Sequence, residues 1–256
     1  MHRLILVRHG ESEWNLKNLF TGWTDVDLTE KGHEQARETG RKLKAAGILP
    51  DQAYTSVLKR AIHTLDDILD ETDCVYILVI KNWKLNERHY GALQGLNKKE
   101  TAQKYGEEQV HEWRRSYWGR PPALSKDDPR NPARQRMYRL CQEPLPLCES
   151  LQDTIERVIP FYEEELIPHL ADQQTVIVSA HGNTLRALVK FLDELSPETI
   201  SQLEIPNGNP LIYELDEAMQ VQNRFYLDDP ERTKALDELI QADHRQMEAD
   251  QKDSAL

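Results

Sequence analysis

Cysteine is scarce in this 256-residue chain: Cys74, Cys141 and Cys148 are an odd number at no metal-ligand spacing, which leaves a disulfide framework or a zinc site without support. Long apolar runs are missing too. No stretch approaches the ~18 to 20 residues needed to cross a bilayer, and the N-terminus has strand character in place of a charged segment and apolar signal core, so a cytoplasmic protein is expected. A surplus of positive charge is also absent. The net charge of −12 repels a polyanion at long range and argues against a nucleic-acid surface, although a small anion can bind where cations are concentrated in a cleft. The chain has no Walker A sequence, and GESEW around Ser12 falls one glycine short of the G-x-S-x-G nucleophile elbow, so an NTPase or a serine hydrolase is disfavoured. What is present, 39% hydrophobic and 30% charged residues, describes an ordinary globular domain.

The periodicity alternates between strand and helix. RLILV (3 to 7) reads as a buried strand, and residues 29 to 47 as a helix that starts at a Thr29 cap and stops at Gly47. AYTS (53 to 56) is a short strand before a helix over VLKRAIHTLDDILDET, and CVYILVI (74 to 80) is a third strand candidate. Residues 87 to 150 break the pattern as a charged, Trp- and Arg-rich helical insertion that becomes Pro-rich from Pro121 to Pro146, and it is expected to cover a site. A helix near 150 to 170, the strand TVIVSA (175 to 180), the helix HGNTLRALVKFLDEL and the strands LIYELD and VQNRFYL follow. Such alternation predicts an α/β three-layer sandwich, with a mostly parallel central sheet between helices, as one domain over 1 to 228. Residues 229 to 256 are acidic and helical without a long apolar face, which suggests a mobile tail or lid.

Two strands share an ending. LILV-R-H-G and VIVSA-H-G each pass from a buried strand into His-Gly, and ligands of open α/β sheets bind beyond the carboxyl ends of strands. A single histidine at a strand end is more often just a hydrogen-bonded structural residue; two in the same context favour chemistry. Parallel neighbouring strands would put His9 and His181 in one cleft. Arg8 supplies a planar fork for phosphate oxygens, Gly10 removes a side chain where a ligand could approach, and Ser12 and Asn15 add donors. The helix N-terminus at GNTLRAL favours an anion, and Arg60 lies one helical turn past a third strand end. Nearby guanidinium groups should keep the His9 imidazole neutral and nucleophilic.

RHGESEWN, FTGWTDVDLTEKG, YTSVLKRAIHT, WKLNERHYGALQGLNK, EWRRSYW, PPALSKDDPR, ESLQDTIERVIPFY and SAHGNTLRALVK together resemble the 2,3-bisphosphoglycerate-dependent phosphoglycerate mutases of the histidine phosphatase superfamily. The likeness runs over about residues 1 to 228, and NERHYG with the later RR pair is specific to the mutase branch. The resemblance implies an intramolecular phosphotransferase, an isomerase of glycolysis and gluconeogenesis. It would interconvert 3-phosphoglycerate and 2-phosphoglycerate through a phosphohistidine, primed by 2,3-bisphosphoglycerate, without a metal and as a homodimer or homotetramer.

By the same resemblance His9 would be the nucleophile, with Arg8, Arg60 and His181 around the phosphoryl group and Glu87 as proton donor and acceptor. Ser12, Asn15, Thr21, Gly22, Arg88, Tyr90, Lys98, Arg114, Arg115, Gly182 and Asn183 would bind substrate. Taken singly, Glu87 reads as a solvated carboxylate or a partner of Arg88, the Arg114-Arg115 pair as a helix face, and Trp14, Trp23 and Trp83 as packing residues. His33, His63, His89 and His111 lack metal spacing and read as structural or surface residues, His89 at most lining the site. Thr24 after GW, the stretch NPARQRMYRLCQEPLP and the long acidic tail depart from the family's usual wording, in regions that bear on oligomeric contacts and lid behaviour. A phosphatase, a bisphosphoglycerate synthase and a non-catalytic phosphoprotein-binding module are the alternatives; the last is disfavoured because His9, Arg8, Arg60 and His181 are all present.

Overall fold

The computed structural model describes residues 2–172 and 175–253. Strand β1 (His2–Arg8) is central: Leu4 and Leu6 point into one apolar layer, Ile5 and Val7 into the other. Burial on both faces explains why its sequence is a continuous apolar run with no polar alternation. β1 pairs in parallel with β4 (Thr175–Ala180), which pairs with β2 (Gln52–Thr55), which pairs with β3 (Leu78–Lys81). On its other side β1 meets the antiparallel β5 (Leu211–Leu215) and then β6 (Val221–Tyr226). The six-stranded order is β3-β2-β4-β1-β5-β6, the mostly parallel sheet expected.

Helices α2 (Glu30–Ala45) and α3 (Lys59–Thr72) cover one face, burying Ala36, Leu43, Leu65 and Ile68 against Ile5, Val7 and Ile177. Helices α6 (Leu151–Phe161) and α8 (Gly182–Leu192) cover the other through Val158, Phe161, Leu185 and Leu188. A reciprocal Ser150–Asp153 capping box starts α6. Beyond it the chain widens through Tyr162–Leu166 into α7 (Ile167–Asp172), so the single helix expected near 150 to 170 is three contiguous segments.

Three expectations need correction. Of CVYILVI only the last residues form a strand. Asp73, with φ of 58°, terminates α3, the Cys74 amide returns to the Leu69 carbonyl, and residues 74 to 77 are spent on that turn. What remains is the edge strand Leu78–Lys81, with Leu78 exposed, as are Val75 and Tyr76 in the turn before it.

The insertion at 87 to 150 is helical only in α4 (Lys98–Tyr105) and α5 (Glu107–Arg115); its Pro-rich remainder runs as an irregular strap with two short 3-10 turns. Proline supplies no amide donor and restricts the residue before it, which works against regular ladders there.

The acidic C-terminal segment is not a free tail over 230 to 244. It forms helix α10 (Pro230–Asp253), whose Leu236 and Ile240 enter the main core. The buried Asp243 accepts from the Ser196 amide at 2.7 Å, and the His244 ring meets the Asp193 carbonyl at 2.8 Å. Leu236 and Ile240, with Leu239 packed against the core beside them, cover barely more than one helical turn, too short to read as a core face in the sequence, yet with one carboxylate anchor they fix the helix.

Candidate active site

The register between β1 and β4 builds the centre of the site. Arg8 is level with Ala180, and the His9 amide donates to the Ala180 carbonyl at 3.0 Å, so His9 and His181 leave the sheet side by side. Their rings lie edge to face, with centroids 5.1 Å apart. His9 Nδ1 is 2.7 Å from the Gly10 carbonyl. A carbonyl only accepts, so Nδ1 carries the proton and Nε2 presents its lone pair. Burial, reinforced by Arg60 and Arg8, pushes the His9 pKa well below the usual histidine range and keeps the ring neutral. Burial, with Arg60 next, acts likewise on His181, whose Nε2 meets the Ser56 hydroxyl at 2.8 Å.

Arg60, in the first turn of α3, is buried and aimed. Its Nε points at His9 Nε2 from 3.3 Å, while Nη1 and Nη2 donate to the carbonyls of Thr24 and Gly22 at 3.0 and 2.7 Å. Burial lowers its pKa to about 10, so it remains a cation at neutral pH. Gly22 has φ of 52°, and a Cβ there would sit 2.2 Å from the Gln94 side chain; glycine lets this loop present its carbonyl to Arg60. Arg8 donates from Nη1 to the Ile205 carbonyl at 2.7 Å, and its buried Nε has no hydrogen-bond partner among the described residues.

Glu87 occupies the next position outward. Its Oε1 accepts from the Asn183 amide at 3.1 Å, the Asn183 side chain at 3.0 Å and the Arg88 amide at 2.8 Å. The N-terminus of α8, expected to favour an anion, offers its Asn183 amide to a protein carboxylate. The Glu87 backbone is clamped: its carbonyl accepts from the Trp23 indole and from Arg157 Nη2, the latter at 3.0 Å. Arg157 in turn pairs with Glu149, both nearly inaccessible to solvent.

These groups open onto a cavity of about 110 Å³. Arg8, His9, Asn15, Thr21, Gly22, Arg60, Glu87, Tyr90, Lys98, Arg114, Arg115, Gly182 and Asn183 line it as the sequence led us to expect. Six cationic residues face two carboxylates there, which concentrates positive potential in a strongly acidic protein. Lys98 heads α4 and the arginine pair ends α5, so the insertion delivers the outer cations. Burial, with Arg114 and Arg8 adding repulsion, lowers the Lys98 pKa to about 8.

Four residues singled out in the sequence lie outside the cavity lining. Ser12 is buried outside the cavity lining and forms a capping box with Asn15 at the start of the short helix α1 (Glu13–Leu16). Arg88 is also buried outside the lining; its Nε donates to the Glu149 carbonyl at 2.8 Å and it lies over the Tyr90 ring, anchoring the insertion. His181 lies behind His9, off the cavity wall itself. Gly10 does not clear room for a ligand: a Cβ there would meet the Gly32 carbonyl oxygen at 2.2 Å, so it admits the α2 backbone.

Two lining residues escaped the sequence reading. Arg186 is three residues past Asn183 on α8 and donates to its Oδ1 at 3.1 Å, a helical spacing that could have revealed it. Glu204, which pairs with Arg115, stands in a loop with no local signal.

Residues 4–227 match the histidine phosphatase superfamily (branch 1). The chain belongs to that superfamily. Phosphoryl transfer through a histidine is its chemistry, and a neutral, arginine-flanked His9 at the head of a cationic cavity fits it. Solved structures of similar shape include the α-ribazole phosphatase from Shigella flexneri, at 21% identity and TM-score 0.66 over 88% of this chain and 96% of that one. Mycobacterial glucosyl-3-phosphoglycerate phosphatase matches at 22% identity and 0.65 over 88% and 96%. Bacillus stearothermophilus YhfR matches at 23% identity and 0.66 over 87% and 95%. At these identities the likeness speaks to the fold.

Proposed function

We propose that this histidine phosphatase interconverts 3-phosphoglycerate and 2-phosphoglycerate through phospho-His9, with 2,3-bisphosphoglycerate as the priming donor. The observation that carries the reading is the number of cations in the cavity, more than one phosphate group needs. Arg8 and Arg60 surround His9, and Lys98, Arg114, Arg115 and Arg186 add a further set of cations, with Glu87 held among them. A ligand bearing a phosphate and a second anionic group, carboxylate or phosphate, uses both sets; a simple phosphate monoester needs only the first.

Phospho-His9 gives its phosphoryl group to the C2 hydroxyl of 3-phosphoglycerate; the P–N bond breaks, a P–O bond forms, and Glu87 takes the hydroxyl proton. The bisphosphate turns over in the cavity. His9 Nε2 then attacks the 3-phosphate, Glu87 returns the proton to O3, and 2-phosphoglycerate leaves with His9 again phosphorylated. Arg8 and Arg60 serve the charge on the transferring group in both directions, and most of the rate comes from positioning and electrostatics.

A phosphatase has the named structural neighbours in its favour, one of which acts by name on a phosphoglycerate ester. Water would then attack phospho-His9 in place of a second hydroxyl. Feeding 3-phosphoglycerate with and without catalytic bisphosphate separates the two. Formation of 2-phosphoglycerate that depends on bisphosphate supports the mutase; release of inorganic phosphate as the main product overturns it.

A further inference from the structure

We propose that Asp27, His33 and His63 form a binding site for a divalent transition-metal ion of the zinc class, outside the phosphate cavity. In the sequence these residues are 6 and 30 apart, with no metal-ligand spacing. Folding brings them together: one ligand atom from each lies within 4.8 Å of the other two. His33 sits in the first turn of α2 and His63 in the second turn of α3, with ring centroids 6.2 Å apart and nearly parallel. Asp27 comes from the loop that also supplies the Gly22 and Thr24 carbonyls to Arg60.

The donor set is the kind a borderline metal selects, with two imidazoles and a carboxylate. Its charge fits as well. His63 Nδ1 meets Asp27 Oδ1 at 2.6 Å, and His33 Nδ1 meets Asp67 Oδ2 at 2.7 Å, so two carboxylates and two imidazoles stand ready for a dication. Asp67 orients His33 in the manner of the outer-shell carboxylates that brace metal-bound histidines. Asp27 is fixed from behind, its Oδ1 accepting from the Leu28 amide at 2.8 Å and its carbonyl from the Glu13 amide at 3.0 Å. Bonds of 2.0–2.2 Å in a tetrahedral site separate ligand atoms by roughly 3.3 Å, so side-chain rotation has at most about 1.5 Å to close. All three residues are half-buried, which leaves an entry path and room for water as a further ligand.

An ion here ties the loop at Asp27 to both helices. It takes no part in the chemistry, but it braces the segment whose carbonyls hold Arg60.

The test uses the full chain after dialysis against a chelator, with Co²⁺ absorption as the probe and Zn²⁺ as competitor. The expected result is one saturable Co²⁺ site, displaced by Zn²⁺ and indifferent to Mg²⁺ or Ca²⁺, with Zn²⁺ raising the unfolding midpoint. His33→Ala and His63→Ala should each weaken binding at least about tenfold, while His111→Ala binds as wild type. Equal binding by all three variants, or no saturation below about 1 mM, overturns the proposal. Anomalous diffraction from a Zn²⁺-soaked wild-type crystal needs no variant: a peak among Asp27, His33 and His63 supports the site, and peaks only elsewhere refute it.

Discussion

Asn183 holds Glu87 twice, through its backbone amide at 3.1 Å and its side-chain amide at 3.0 Å, both on Oε1. That pair of bonds turns a carboxylate that would otherwise be solvated into a positioned one facing the cavity. Glu87→Gln should lower turnover by roughly 10²- to 10⁴-fold, the usual range for a general acid–base residue. Labelling of His9 by an acyl phosphate, whose leaving group needs no proton, should fall far less. Equal loss in both measurements would remove Glu87 from proton transfer. Asn183→Ala keeps the backbone bond, so its turnover should drop by only about tenfold.

His9→Ala should abolish phosphoenzyme labelling. Retained label at another residue, located by peptide mapping, would refute His9 as the nucleophile.

Arg115 and Glu204 form an ion pair at the cavity mouth, with the Glu204 side chain 72% exposed. A substrate anion must compete with that carboxylate. Exposed pairs contribute about 0.2–1 kcal/mol, so Glu204→Gln should lower KM by roughly two- to fivefold with kcat little changed. Arg115→Ala should raise KM more than it slows labelling of His9. Steady-state kinetics on the two variants checks both signs.

Arg157 and Glu149 pair in an almost dry setting and clamp the Glu87 backbone. Removing one partner leaves a buried charge uncompensated, which typically costs about 3–5 kcal/mol. Arg157→Met should therefore lower the denaturation midpoint and also reduce kcat. A stability loss with kcat intact would show that the clamp does not position Glu87.

His89 accepts the Gly91 amide on Nδ1 at 2.9 Å, and burial, with Arg157 and Arg130 adding, lowers its pKa to about 3. The sign follows from the unfolded state, which binds the proton first. Above about pH 6.5 His89 contributes no pH dependence; between about 6.5 and 3 it costs stability as pH falls, by roughly 1.4 kcal/mol per unit. His9 and His181 have the same sign. Denaturant unfolding between about pH 6.5 and 4.5 should show His89→Asn losing stability less steeply than wild type, by about one proton.

Much of this was legible in one dimension. The unbroken apolar runs at LILV and VIVSA marked strands buried on both faces, and the His-Gly that ends each placed two histidines at carboxyl ends of a parallel sheet. Charge pattern alone read Arg114 and Arg115 as a solvated face; only motif resemblance lifted them and Glu87 above that. The missing side chain of Gly10 reads as room for a ligand and resemblance gives Arg88 to substrate, whereas the fold uses one for helix approach and the other to anchor a loop.

The sequence by itself determined the buried strands and put His9 and His181 at the ends of two of them, because burial period and strand ends are local properties of the chain. The tertiary structure decided what those side chains meet. The His9 tautomer set by the Gly10 carbonyl and the Asn183 grip on Glu87 depend on three-dimensional geometry, and the closure of Asp27, His33 and His63 joins residues from separate elements. Such contacts arise from packing between elements, and no periodicity along a chain encodes them.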